Sequence, residues 1–187
     1  MKRTILSIVM CGFLFECLNA QRYLPGQQGI QLTIGTVNGI NPQQAFYGGV
    51  SLSTYTQNDS RWIFGAEFLL KQLNYKQIQI PVTQFTGEGG YYYSFLSDPS
   101  KTFHLSIGAS GLVGYETNNW GSKTLFDGAT LANKDAVVYG GAVTLELETF
   151  ITDRIIFLIN VRERVLWGSS VGKYSTQLGV GVKYIIN

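Results

Sequence analysis

From residue 29 onward, apolar and polar side chains alternate through one strand-length segment after another. After the first twenty residues no apolar run is long enough to cross a bilayer as a helix. The segment "LINVRERVLW" (158–167) shows the constraint most sharply: it is apolar at both ends, yet Arg162, Glu163 and Arg164 sit in its middle. In a buried helix each of those charges needs a partner or costs several kcal/mol. In a strand, alternate residues face opposite sides, so Arg162 and Arg164 share one face with Asn160 while Ile159, Val161, Val165 and Trp167 take the other.

The same alternation predicts eight strands, over about 29–38, 44–57, 60–74, 82–96, 102–116, 136–150, 154–167 and 174–186. One face is uniformly apolar; the other carries Gly, Ser, Thr and the charged residues. The connections at 57–60, 97–101 and 151–154 read as tight turns. Those at 39–43, 75–81, 117–135 and 168–173 read as longer loops. Charged residues make up only 14% of the chain, against roughly 25% in soluble domains, while aromatics reach 13% and glycines number 22. A water-soluble barrel has no reason to turn its apolar side outward. The predicted fold is therefore all-β, an eight-stranded antiparallel transmembrane β-barrel of up-and-down topology, with tight turns and both termini on the periplasmic side.

The opening "MKRTILSIVMCGFLFECLNA" has a basic start, a short apolar run and a small residue at its end, so residues 1–20 read as a secretory signal peptide. Both cysteines, Cys11 and Cys17, fall inside it. Glu16 stands where a lipobox needs a small residue, and Cys17 reads as part of the apolar run. The expected organisation is a signal peptide (1–20), a periplasmic N-terminal arm (21–28) and an outer-membrane barrel (29–187). No disulfide framework and no thiolate metal site are expected in the exported chain.

Aromatics cluster near both strand ends: Trp62, Tyr91, Tyr93, Phe95, Phe103, Phe150 and Tyr184 toward the tight turns, and Phe46, Tyr115 and Trp167 toward the loops. Two belts at two membrane interfaces are expected. An eight-stranded barrel is narrow enough for side chains to fill it. The inner face is thus predicted to hold a polar plug of Glu67, Glu88, Arg162 and Arg164 with bidentate Arg–carboxylate bonds, Glu67 opposite Glu88. Arg162 is expected beside Ala142 and Gly179 or Gly181, and Arg164 near Gly140. Glu146, Glu148 and Lys183 are expected to form a second cluster nearer the periplasm. Glu163 faces lipid by parity; an interfacial depth or a bulge would each accommodate it.

Catalytic chemistry is sparse. His104 is the single histidine, and although Ser106 and Ser110 share its face, it lies far from Glu116, so a packed or interfacial histidine is expected rather than a catalytic one. No metal or cofactor site is expected, because the glycines fit no phosphate-binding fingerprint and "FDGATLANKD" lacks calcium-loop spacing. A net charge of +2 gives no basic excess for direct nucleic-acid contact. The end, "GVKYII" (181–186), resembles the terminal signal read by the barrel-assembly machinery, with Asn187 as an extra residue and Val180 where a polar one is usual.

The stretches "QRYLPGQQGIQ" (21–31), "EGGYYYSFLSD" (88–98), "KTFHLSIGASGLVGYETNNWG" (101–121), "YGGAVTLELETFITDRI" (139–155), "RERVLWGSS" (162–170) and the closing "IIN" resemble, in order, the conjugal transfer protein TraO family of Bacteroides-type conjugative transposons. That resemblance implies a non-enzymatic outer-membrane part of a conjugative, type IV secretion-like apparatus. It supplies no catalytic residues and no small-molecule substrate. The expected partners are outer-membrane lipid, other conjugative-transfer proteins and the barrel-assembly machinery. An adhesion-type barrel, a minor porin and a lipid-modifying enzyme are the competing expectations.

Overall fold

The computed structural model describes residues 23–75, 78–118, 135–170 and 172–186. The signal-peptide reading of residues 1–20 and most of the 117–135 loop lie outside them. Eight strands run in order: β1 (Gln28–Val37), β2 (Ala45–Tyr55), β3 (Arg61–Tyr75), β4 (Ile78–Ser97), β5 (Phe103–Asn118), β6 (Ala136–Phe150), β7 (Ile155–Trp167) and β8 (Tyr174–Ile185). Each pairs antiparallel with its sequence neighbours, and β1 pairs with β8, closing the sheet into a barrel. Closure removes every unpaired edge, which a sheet in hydrocarbon cannot carry.

Burial follows the alternation. Along β8 every second residue is buried and every other one exposed, from Tyr174 through Ile185. The exposed set is apolar: Ile30, Leu32 and Ile34 on β1, Phe157, Ile159 and Val161 on β7, Leu178, Val180 and Val182 on β8. The buried set is largely polar and includes Arg61, Arg164, Lys183, Glu146 and Glu148. This is a soluble protein's arrangement turned inside out, and it fits a barrel bathed in lipid.

The structure corrects several sequence expectations. The 75–81 segment is mostly strand, because the β3–β4 ladder continues through Gln72–Pro81 to Tyr75–Ile78. This moves the turn toward the N-terminus and shifts the register: Glu67 pairs with Thr86 and Glu88 with Gly65, so the two acids are not directly opposite. Arg162 lies between Thr144 and Gln177, and Arg164 between Ala142 and Ser175; neither has the glycine neighbours expected. Phe150 faces inward, packed against Tyr23, Tyr55, Ile156 and Ile185, as its even parity with Glu146 and Glu148 requires. A bulge between Ser94 and Leu96 places both Phe95 and Leu96 outside.

The 21–28 arm also differs from expectation. Gln28 already belongs to β1, and Tyr23 is buried in the barrel mouth, its ring stacked on Tyr55 at a centroid distance of 3.8 Å. The arm is tied down by backbone bonds from Gly26 to Tyr55 and from Tyr55 to Gln27.

Candidate functional site: the ionic lumen and the belts

Two ion-pair layers fill the barrel, one above the other. The layer nearer the tight turns is built by Arg61 at the start of β3, Glu146 and Glu148 near the end of β6, and Lys183 near the end of β8. These strand ends meet at the same mouth, so inner-face side chains at similar heights converge. Arg61 bonds Glu146 through Nη2 and lies 3.3 Å from Glu148 through Nη1. Lys183 bonds Glu148 and lies 3.9 Å from Glu146. The Tyr23 hydroxyl donates to Glu148 at 2.9 Å, and Gln31 donates to Glu146 at 3.1 Å. The guanidinium carbon of Arg61 sits 5.1 Å from the Tyr92 ring centroid. All four side chains are buried, and each has an opposite charge in contact, which offsets part of the cost of removing it from water.

The second layer lies at mid-barrel. Arg162 on β7 spans two acids, with Nη1 on Glu67 at 3.2 Å and Nη2 on Glu88. Arg164 reaches the other oxygen of Glu67 at 2.5 Å, and Gln177 donates to that oxygen at 2.8 Å. Ser110 accepts from Arg162 at 3.2 Å. The expected bidentate bonds are thus replaced by bridges: each arginine nitrogen engaged here reaches a separate carboxylate oxygen. The four residues named from sequence are together, and so are Glu146, Glu148 and Lys183.

Between the layers Tyr47 donates to Asn160 at 3.0 Å. Gly179 faces this tyrosine, and a Cβ there would collide with its hydroxyl, so glycine is what lets the ring cross the lumen. A gap of about 30 Å³ lies between the layers, lined by residues of both, including Glu67, Arg162 and Glu146. That is room for one or two waters.

Arg61 is not among the residues expected in either cluster from the sequence. Charge balance was the signal: two glutamates with one lysine leave a buried negative charge, and Arg61 is the missing cation. Glu116 forms a further buried polar group at the long-loop end. It accepts from Gln84 at 2.6 Å, Ser169 at 2.8 Å, the Ser170 backbone N–H at 2.8 Å and the Ser170 hydroxyl. His104 is fully buried; its Nε2 donates to the Lys101 carbonyl at 3.0 Å and its ring packs 5.1 Å from that of Tyr23.

The aromatics named for the belts lie on the outer surface: Trp62, Tyr91, Tyr93 and Phe103 toward the tight turns, with Tyr184, and Tyr115 and Trp167 toward the loops. Trp62 meets Tyr91 edge-on at 5.0 Å, and Trp167 stacks on Tyr139 at 6.0 Å.

The fold is shared with solved outer-membrane barrels. The structure of Neisserial surface protein A is similar with a TM-score of 0.63 and 15% identity, covering 85% of this chain and 97% of that one. Ail, the attachment invasion locus protein of Yersinia pestis, is similar with a TM-score of 0.54 and 9% identity, covering 86% of this chain and all of that one. These likenesses concern the fold. No curated protein sequence matches the chain. The profile of one family, described as conjugative transposon protein TraO, matches residues 24–186.

Proposed function

The chain belongs to the TraO family of conjugative transposon proteins, and from that premise we propose that it is a non-enzymatic outer-membrane component of a conjugative DNA-transfer apparatus. The family match along nearly the whole barrel carries this reading. The outward apolar surface supports the outer membrane as its place, with export directed by residues 1–20.

The lumen supports a structural or interaction role. Two ion-pair layers and a gap of about 30 Å³ among the described residues support a filled lumen rather than a passage for DNA, protein or hydrated ions. The protein then acts through what it shows outside: its lipid-facing wall, its loops and its two mouths. Its partners are other transfer proteins and the surrounding lipid, after folding by the barrel-assembly machinery.

An in-frame deletion of the gene from the mobile element, complemented in trans, tests this. Transfer frequency is expected to fall at least a hundredfold and to return with the intact gene; unchanged transfer rejects the reading. The purified barrel in planar bilayers is expected to pass no steady current.

A further inference from the structure

The described outer wall carries one charge at its strand positions. Among the described strand residues that face outward, every side chain is apolar, aromatic, small or neutral-polar except Glu163 on β7. β7 pairs continuously on both sides, so no bulge turns Glu163 inward, and its side chain is exposed. Its ladder neighbours are Val143 on β6 and Thr176 on β8, with Val161 and Val165 before and after it on the same face. Trp167, in the belt, is four residues further along, which places Glu163 about 10 Å inside the apolar band for a strand tilted as barrel strands are.

One carboxylate oxygen accepts the Thr176 hydroxyl at 2.6 Å. The other has no partner among the described residues. Lys173 is the basic residue next to this face, but it lies over the Trp167 and Tyr174 rings, 5.5 and 5.8 Å from their centroids, and forms no ion pair with Glu163. A carboxylate at this depth needs a cation or strong donor beside it. A lipid phosphate has the wrong sign. A second copy of this barrel offers no cation at its described outward strand positions, and its Lys173 is already engaged over its own Trp167 and Tyr174 rings.

The wall beside Glu163 is also unusually bare. Gly111 and Gly141 pair directly across β5 and β6, and Gly89 pairs with Gly111. A Cβ at Gly111 would meet nothing closer than 4.0 Å, so the barrel itself does not demand glycine there. At Gly141 a Cβ would press on the Ser110 carbonyl at 3.2 Å, so the open glycine is Gly111, and close approach by another backbone is one of the roles such a strand glycine serves.

We propose that the lipid-facing side of β5–β8 around Glu163 docks a membrane-embedded segment of a different transfer protein, which presents a Lys or Arg to the Glu163 carboxylate. This rests on the transfer-apparatus reading and names the site and the partner's chemistry.

A photo-crosslinking amino acid at Val143, beside Glu163, tests it in donor cells carrying the complete transfer region. The expected product is a covalent adduct with one other transfer protein, mapped by mass spectrometry to an apolar segment containing a basic residue. Glu163→Lys is expected to reduce that adduct and the transfer frequency at least tenfold, and exchanging the partner's basic residue for Glu should restore both. Glu163→Leu, which suits lipid better than the native residue, controls for folding: the barrel should assemble normally, by heat-modifiable migration, and still lose the adduct. Adducts with lipid alone, adducts with a second copy, or an adduct that Glu163→Leu leaves unchanged would each overturn the proposal. Should the gene deletion leave transfer unaffected, the apparatus reading fails, while the adduct still decides the docking site.

Discussion

The two ion-pair layers hold the same inventory, two acids and two bases, yet they are built differently. At the tight-turn mouth each carboxylate meets both cations, and tyrosines at 23, 55 and 92 wall the cluster on its sides. At mid-barrel the pairing is a chain: Glu88 to Arg162, Arg162 to Glu67, Glu67 to Arg164. A closed set of contacts in a fully buried site has no member that can be lost cheaply. A chain has an end member and a central one, and they should differ.

The largest effect is expected at the mouth. Arg61→Met leaves two buried carboxylates to one lysine and should destabilise the barrel by about 3–5 kcal/mol, measured by urea unfolding in lipid vesicles. An intermediate effect separates the members of the mid-barrel chain. Glu67→Gln strips Arg164 of its carboxylate in the described structure and should cost about 2–3 kcal/mol. Glu88→Gln leaves Arg162 its bond to Glu67, at a partly open site, and should cost about 1 kcal/mol. Equal losses for the two would mean that the chain behaves as a closed set.

The smallest effect lies outside the membrane, in the 98–102 turn. Burial there raises the Asp98 carboxyl, but the backbone N–H groups of Phe103, Thr102 and Ser100 together outweigh it and hold the group below its usual range. Phe103 N–H donates to it at 2.8 Å and Ser100 N–H at 3.2 Å. A depressed folded pKa stabilises above the unfolded value, near 3.9, and the contribution disappears as pH falls through the folded value. Asp98→Asn should therefore be slightly less stable than the parent at pH 7, and the gap should close toward pH 3.

How much of this was legible depended on the kind of information each residue carried. Parity alone sorted Glu67, Glu88, Arg162, Arg164, Glu146, Glu148 and Lys183 onto the inner face, and Glu163 onto the outer one. Pairing within the face was not legible in the same way. Expecting the β3–β4 turn within 75–81, when the strands continue to Tyr75 and Ile78, was enough to move Glu88's partner to Gly65. Phe150 was assigned by its closeness to a turn, though its parity with Glu148 already said otherwise. Tyr23 gave no signal, because it precedes the alternating pattern; only closure of the barrel creates the mouth that it fills.

By itself, the sequence determined that eight alternating segments must close with their apolar side outward, since a two-residue period has one solution when one face is lipid-compatible and the other charged. The tertiary structure decided which charge meets which. Partner choice depends on turn position, the bulge at Ser94–Leu96 and the stagger of closure. A shift of one residue in a turn moves every cross-strand partner by two positions, and no single strand records that.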